Sequence, residues 1–167
     1  LHGGTAYQPD AFLERFNALL EAARAHWSGL DPAARARFRF HHVSTDEVYG
    51  TLAPDAPAFT EAHVYEPNSP YSASKACAEM VVEAYRSCFF PPESGRGLAT
   101  ARAGNVIGGG DFAPARLLPD LMRAFAEGRP ALLRQPGSVR PWQHVLDALA
   151  GYLELAERLY HEPAACS

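Results

Sequence analysis

The amino-acid sequence predicts an α/β fold in which a mostly parallel sheet is flanked by helices. Apolar residues recur at three- and four-residue spacing over several long stretches, a pattern typical of helices packed on one side. Between these stretches lie short runs rich in branched and aromatic residues, which are strand candidates. Because helices separate the strands, we expect crossover connections and parallel strand pairs.

Composition and charge limit the classes of protein to which the chain can belong. The 167 residues are 47% hydrophobic and 20% charged, as expected for one folded domain, and residues 1–167 are treated as a single unit. The 15 basic and 19 acidic residues give a formal net charge of −4, which argues against nucleic-acid binding. No apolar run approaches the roughly 18 residues of a membrane span. The histidines show no zinc-binding spacing, so no metal site is predicted.

The first elements along the chain are a helix and a strand. Pro9 suits a first helical turn, and an apolar stripe predicts a helix over Pro9 to Trp27. The run FRFHHVS, Phe38 to Ser44, is the first strand candidate. On that strand the adjacent His41 and His42 would point to opposite faces.

The middle of the chain is predicted to contain a loop, a long helix and a second strand. Repeated prolines make Thr51 to Pro70 a loop. A helix is expected from Tyr71 to Phe90, where Pro91 and Pro92 would stop it. The run GLATARAG, Gly97 to Gly104, is the second strand candidate.

The last third is predicted to add two helices and one short strand. A helix is expected over Leu117 to Glu127, closed by Gly128. Ala131 to Arg134 is predicted as a short strand, and Val145 to Tyr160 as a final amphipathic helix. This order of helices and strands is what predicts the parallel sheet.

Two adjacent carboxylates follow the first strand, in the motif STDEVYG. On a continuing strand Asp46 and Glu47 would face opposite sides, so they can share one site only where the backbone leaves the sheet. Open parallel sheets bind ligands outside the carboxyl ends of their strands, where this motif lies. The alternative is that Ser44, Thr45 and Asp46 merely cap a turn.

A tyrosine and a lysine share one face at the start of the long helix. Tyr71 and Lys75 are four residues apart, and a nearby ammonium is expected to lower the pKa of the phenol. Tyr71 is therefore a candidate general base for an alcohol proton. The alternative is an ordinary exposed pair of side chains.

Glycines and arginines in the second half predict an anion site. The segment RAGNVIGGGD places three glycines after the second strand, where backbone N–H groups can approach phosphates. Arg116, Arg134 and Arg140 follow and could clamp phosphate oxygens. The alternative is that each arginine is a solvated surface residue. The chain opens with no strand, glycine-rich turn and helix, so the usual dinucleotide fingerprint is absent there.

The order STDEVYG, PYSASK, RAGNVIGGGD and RPWQHVL resembles the nucleotide-sugar 4,6-dehydratases of the extended short-chain dehydrogenase/reductase superfamily. The first part, through EPNSPY, is most similar to dTDP-glucose 4,6-dehydratases. The part from Lys75 onward is most similar to CDP-glucose 4,6-dehydratases. The latter usually carry lysine where Glu47 stands, so the two parts imply different substrates; we weight the later part and favour CDP-glucose.

The resemblance implies a partial Rossmann-like domain and a mechanism for it. NAD⁺ would accept a hydride from C4 of the glucose ring while Tyr71, helped by Lys75 and Thr45, removes the 4-OH proton. Glu47 would then take the C5 proton as general base, and Asp46 would protonate the departing 6-OH as general acid. Return of the hydride to C6 would give the 4-keto-6-deoxy sugar.

The same resemblance implies binding residues, partners and a location. Tyr71 and Lys75 would contact the cofactor, and Asn105, Arg116 and Arg140 would contact the nucleotide and phosphates of the substrate. A homodimer through the Tyr71–Phe90 helix and a cytoplasmic location are expected. Family members are longer at both ends, so we interpret the chain as a central part that lacks the N-terminal dinucleotide-binding half.

Two alternatives to a dehydratase are kept. One is a non-catalytic remnant that binds a nucleotide sugar or a partner, which the absent fingerprint favours. The other is a nucleotide-sugar epimerase, against which the Asp46-Glu47 pair argues.

Overall fold

The fold is described here from a computed structural model, which covers residues 7–53, 55–90 and 97–166. Helices and strands follow one another in the order α1 (Pro9–Gly29), α2 (Pro32–Arg37), β1 (Arg39–Thr45), α3 (Pro70–Phe89), β2 (Gly97–Ala103), β3 (Asn105–Ile107), α4 (Leu117–Ala126), β4 (Trp142–His144) and α5 (Val145–His161). A short 3-10 turn, Asp46–Tyr49, follows β1, and another, Pro163–Cys166, follows α5.

The long helices and the first two strands lie within about two residues of their predicted limits. The predicted stop of α3 at Pro91 and Pro92 lies outside the described residues. The predicted strand Ala131–Arg134 is wrong, because this segment has no regular structure and the strand paired with β3 is β4. Its leucines, Leu132 and Leu133, are exposed instead of packed in a sheet.

The described strand pairs are all parallel, as predicted. Strand β1 pairs with β2 from Arg39 opposite Gly97 to Thr45 opposite Ala103, and β3 pairs with β4. Helix α3 makes the connection between β1 and β2, so the carboxyl ends of both strands lie at the same edge. This is the edge at which parallel sheets bind ligands.

One glycine permits the close passage between β2 and β3. A Cβ on Gly104 would lie 2.6 Å from the carbonyl oxygen of Pro141, the residue before β4. The amide of Asn105 donates to the same carbonyl at 2.9 Å. A side chain at position 104 would therefore separate the two segments.

Helices cover both faces of β1 and β2. The main core cluster lies between α1, α3 and the strands, and consists of Phe16, Leu20, Ala78, Val82, Phe90 and Leu98. On β1, His42 faces Phe16 with ring centroids 4.6 Å apart, whereas His41 faces Tyr152 of α5 at 5.8 Å. The two histidines thus point to opposite faces, as predicted. Among the described helices, none is long and apolar enough to span a membrane.

Candidate active site

The two adjacent carboxylates lie on a single 3-10 turn where the backbone leaves the end of β1. We call Asp46–Tyr49 the carboxylate turn. The Thr45 hydroxyl accepts a hydrogen bond from the Glu47 amide at 3.3 Å and donates to an Asp46 carboxylate oxygen, also at 3.3 Å. The capping role considered for this motif therefore applies to Thr45. This cap lies where the backbone leaves the strand, so Asp46 and Glu47 are on the turn and not on the strand.

Gly50 ends the carboxylate turn with a backbone conformation that favours glycine. Its φ is +82°, and a Cβ there would lie 2.2 Å from the carbonyl oxygen of Glu66. The amide of Glu66 in turn donates to the carbonyl of Val48 at 3.0 Å. The turn is thus held against the loop that leads to α3.

Tyr71 and Lys75 lie in the first turns of α3. Ser69 caps the helix through reciprocal hydrogen bonds with Ser72, and Pro70 occupies the first helical position. The Lys75 ammonium donates to the carbonyl oxygen of Val43 on β1 at 3.1 Å. Helix α3 is thereby joined to β1 close to the carboxylate turn.

Lys75 is half-buried and is the sole lysine of the 167-residue sequence. Its ammonium lies 5.3 Å from the centroid of the Phe12 ring of α1. Burial lowers the pKa of Lys75, and the negative charge of Glu79 opposes this. An ammonium has three N–H donors, of which one is directed to Val43.

The charges of both carboxylates affect the ionisation of the Tyr71 phenol. Burial raises the pKa of Tyr71, and the negative charges of Glu47 and Asp46 raise it further, while Arg116 lowers it. The prediction that Lys75 lowers the pKa of Tyr71 is therefore wrong, because the net change is an increase. The lysine ammonium is directed to Val43, and burial, which a linear motif does not reveal, is the largest cause.

Tyr7 is a neighbour of Tyr71 that the sequence motifs did not indicate. The two rings meet edge to face with centroids 5.4 Å apart. The hydroxyls of Tyr7 and Ser74 are 2.5 Å apart, and Ser74 also donates to the carbonyl oxygen of Tyr71 at 2.8 Å. Tyr7 therefore packs on Tyr71 and on the first turn of α3.

Asp46 is the carboxyl whose protonated form is favoured by its surroundings. Burial raises the pKa of Asp46, while the Thr45 hydrogen bond and the charge of Arg140 oppose the increase. A raised pKa is the property that a general acid needs at neutral pH. Arg140, which precedes β4, is thus electrostatically coupled to the carboxylate turn.

The structure brings together some of the predicted anion-binding residues. The positive charge of Arg116, at the start of α4, lowers the pKa of Tyr71. Its guanidinium lies 3.3 Å from a carboxylate oxygen of Asp111. Asn105 begins β3 opposite Trp142 of β4, which is two residues after Arg140 in the chain. Arg134 forms an ion pair with Asp120 of α4 at 3.0 Å, and its place in the anion site stays a prediction.

No metal-binding cluster is found in the part of the chain that the structure describes. Within residues 7–53, 55–90 and 97–166, no group of three or more His, Cys, Asp or Glu side chains could hold a metal ion.

The fold and this arrangement of side chains define a class of α/β proteins that present a Tyr-x-x-x-Lys helix and strand-end carboxylates at one edge of a parallel sheet. The chain belongs to the NAD dependent epimerase/dehydratase family, whose model matches residues 9–164.

Curated relatives include two kinds of sugar-nucleotide dehydratase. The chain is 54% identical over 102 residues to CDP-glucose 4,6-dehydratase of Salmonella typhimurium. The aligned region covers 59% of this chain and 28% of the relative. It is 40% identical over 152 residues to dTDP-glucose 4,6-dehydratase of the same organism, covering 83% of this chain and 40% of the relative. The chain thus spans less than half the length of these relatives.

Solved structures confirm the Rossmann-like fold class. The structure of dTDP-glucose 4,6-dehydratase from Bacillus anthracis in complex with NAD aligns with a TM-score of 0.71 and 28% identity, covering 95% of this chain and 46% of that one. A dTDP-glucose 4,6-dehydratase from Streptomyces venezuelae with NAD bound aligns with a TM-score of 0.63 and 28% identity, covering 93% of this chain and 47% of that one.

Proposed function

We propose that this chain carries the catalytic centre of a nucleotide-sugar 4,6-dehydratase that converts CDP-glucose to the 4-keto-6-deoxy sugar. The observation that carries the proposal is that Lys75, on the helix of Tyr71, is hydrogen-bonded to Val43 of β1, the strand that leads directly into Asp46 and Glu47. An epimerase needs only the Tyr-Lys pair, whereas elimination of water needs a base and an acid as well. The pair on the carboxylate turn supplies both.

Each of these side chains has a separate role in the proposed reaction. Tyr71 removes the proton of the 4-OH, assisted by Lys75 and by the Thr45 hydroxyl. Glu47 removes the C5 proton, and Asp46 donates a proton to the departing 6-OH. The raised pKa of Asp46 supports its role as the acid. The neutral form of Asp46 and the charge of Arg116 both favour ionisation of the Tyr71 phenol.

Two residues of α3 beside β1 fit one end of a nicotinamide cofactor. Lys75 carries two further N–H donors at the ligand-binding edge of the sheet, suited to the hydroxyls of a ribose. Tyr71 lies one helical turn earlier on the same face of α3. NAD⁺, when bound, supplies the temporary oxidation at C4 of the sugar. We therefore propose Lys75 and Tyr71 as its contacts.

Asn105, Arg116 and Arg140 are proposed to bind the nucleotide and diphosphate of the substrate. The positive charge of Arg116 acts on Tyr71 and that of Arg140 on Asp46, which supports a place for both arginines near the reacting sugar. The 54% identity to a CDP-glucose enzyme supports CDP-glucose. The Asp46-Glu47 pair supports dTDP-glucose as the alternative.

A homodimer through α3 is proposed as well. Met80 on this helix is 55% exposed. Burial of such side chains between two copies would favour association. Light scattering at high protein concentration should give the dimer mass, and a Met80→Asp variant should shift it to the monomer. A cytoplasmic location stays a prediction from the sequence.

The proposed activity is tested on the purified chain. After denaturation, the supernatant is assayed for NAD, and the native protein is incubated with CDP-glucose and dTDP-glucose in parallel. We expect NAD in the supernatant and a 4-keto-6-deoxy product from CDP-glucose, with a Tyr71→Phe variant as the inactive control. Product from dTDP-glucose alone would favour the alternative substrate. No NAD and no product would contradict the proposal and favour a non-catalytic remnant.

A further inference from the structure

Arg102 is the centre of a buried polar cluster beside the proposed site, which we call the Arg102 cluster (Arg102, Glu79, Tyr49 and Tyr65). Its guanidinium donates to the two carboxylate oxygens of Glu79 at 2.8 and 3.0 Å. It also donates to the hydroxyl of Tyr49 at 3.0 Å and to that of Tyr65 at 2.6 Å. Glu79 is only 4% exposed, so the ion pair is shielded from water.

The Arg102 cluster joins the elements that carry the two halves of the site. Arg102 is near the end of β2, opposite Ser44 of β1. Glu79 lies on α3 one turn after Lys75, and Tyr49 is the last residue of the carboxylate turn. Tyr65 belongs to the loop that leads from this turn to α3. One guanidinium therefore contacts the helix of the tyrosine and lysine and the turn of the carboxylates.

The aromatic rings add packing to these hydrogen bonds. The guanidinium carbon of Arg102 lies 5.5 Å from the ring centroid of Tyr49 and 5.3 Å from that of Tyr65. The Tyr49 ring stacks on Phe59 at 5.2 Å, and Tyr49 is buried together with Val48. The planar guanidinium can contact a carboxylate and two hydroxyls at once, which a lysine ammonium at this position would not reproduce.

The tyrosine and the lysine have supports that do not involve Arg102. Tyr71 is in the first turn of α3, which the Ser69–Ser72 capping box fixes. Lys75 is held by its hydrogen bond to the Val43 carbonyl. In contrast, Val48 and Tyr49 of the carboxylate turn pack against Ala76 of α3. The hydroxyl of Tyr49 also accepts a hydrogen bond from Arg102 of β2.

We propose that Arg102 is a positioning residue that holds the carboxylate turn at its working distance from α3. The inference rests on the proposed dehydratase function and assigns Arg102 to the elimination step, the step that uses Asp46 and Glu47. Loss of the Arg102 contacts leaves Tyr71 and Lys75 in place and displaces the carboxylates from the sugar. Oxidation at C4 is then retained while dehydration is impaired.

Two variants test this role without leaving a buried charge unpaired. Tyr49→Phe removes one hydroxyl of the cluster and keeps the ring. The double variant Arg102→Met with Glu79→Leu removes both members of the ion pair, since removal of one alone leaves a buried charge and can prevent folding. The control is Glu83→Gln, which breaks the exposed ion pair between Glu83 and Arg86 on the same helix.

The first measurement is independent of activity. The amides of Gly50 and Glu66 donate to the carbonyls of Glu47 and Val48, so their hydrogen exchange reports on the carboxylate turn. We expect exchange about tenfold faster or more in both test variants, since a charge-assisted hydrogen bond is lost. Rates within about twofold of the wild type in the folded double variant would overturn the proposal.

The second measurement separates oxidation from dehydration. In single turnover of Tyr49→Phe, which leaves Glu79 beside Lys75 unchanged, reduced nicotinamide absorbance should form at a rate within about threefold of the wild type. The 4-keto-6-deoxy product should form about tenfold more slowly or worse. The Glu83→Gln control should match the wild type in both rates. An equal loss of both rates would indicate general destabilisation and overturn the assignment. A wild-type chain that converts no sugar would contradict the proposed function, whereas the exchange rates would still decide whether Arg102 holds the turn.

Discussion

The Lys75 ammonium donates a hydrogen bond to the Val43 carbonyl oxygen at 3.1 Å, which joins the Tyr-x-x-x-Lys helix to the strand that ends in the carboxylates. Because Lys75 is the sole lysine, reductive methylation with carbon-13 formaldehyde yields one side-chain NMR signal, and a Lys75→Arg variant identifies it. Burial lowers the pKa of Lys75, so this signal should titrate at lower pH in the folded chain than in 8 M urea (about the concentration that unfolds small domains). Identical midpoints would contradict the buried position. Addition of NAD should also shift this signal.

Replacement of Glu47 should stop the reaction after oxidation at C4. Glu47→Gln preserves the size and polarity of the side chain and removes its ability to accept the C5 proton. We expect solvent deuterium to enter C5 at a rate reduced by about 10² or more, while the C4 oxidation persists. Mass spectrometry of the recovered sugar nucleotide measures the deuterium, with Glu14→Gln on the exposed side of α1 as control. An unchanged yield of 4-keto-6-deoxy sugar would remove Glu47 from the mechanism.

Replacement of Asp46 should lower activity and raise stability together. The pKa of Asp46 is raised by burial, so its contribution to stability is complete at low pH and is lost as pH rises through that pKa. Above that pKa the buried, ionised carboxylate therefore costs stability, and Asp46→Asn removes this cost. Urea unfolding should give a higher free energy of unfolding for the variant, with dehydration reduced by about 10² or more. A variant less stable than the wild type would show that the carboxylate is stabilising.

Gly50 should tolerate no side chain. Gly50→Ala places a Cβ 2.2 Å from the Glu66 carbonyl oxygen at a φ of +82°. Strain of this kind costs about 1–3 kcal/mol of unfolding free energy and should displace the carboxylate turn, so dehydration falls as well. Gly151→Ala is the matched control, because a Cβ at this position of α5 meets no atom within 4 Å. The control should gain about 0.5–1 kcal/mol in urea unfolding, since alanine favours a helix. Equal stabilities of the two variants would contradict the strain argument.

The elements that the sequence predicted best are those with long periodic patterns. An apolar stripe repeated over several turns predicted α1, and an amphipathic pattern predicted α5. The limits of α3 were predicted from its start at Tyr71 and from the two prolines that follow Phe90. Strands β3 and β4 have three residues each, too few for a period-two pattern to be recognised. The segment Ala131–Arg134 had the composition of a strand but no partner, because β4 occupies the position beside β3.

The candidate site was predictable where it depends on linear motifs. The position of Asp46 and Glu47 after β1, and of Tyr71 and Lys75 on α3, follows from spacing and strand ends. The contact of Arg102 with Glu79 was not predictable, because the two residues are 23 positions apart in the chain. The raised pKa of Tyr71 was not predictable either, since burial depends on residues brought together only by folding.

His42 should make the chain less stable in mild acid. It is 6% exposed on β1, and burial lowers its pKa to about 4, with the positive charges of Lys75, His41 and Arg102 acting in the same direction and Glu79 opposing them. The folded state therefore requires neutral His42. Its contribution to stability is complete above pH 6.5, the unfolded value, and is lost as pH falls from 6.5 towards 4.

The loss attributable to His42 should reach up to about 3 kcal/mol, because each pKa unit corresponds to about 1.4 kcal/mol. Urea unfolding of the wild type and of His42→Phe, which retains an aromatic ring beside Phe16, should be compared across this range of pH. Protonation of the carboxylates in acid lowers the stability of both proteins equally, so the difference between the two curves of unfolding free energy against pH isolates the effect of His42. The curves should diverge as pH falls, with the variant retaining more stability. Parallel curves would show that His42 can become protonated in the folded chain without cost.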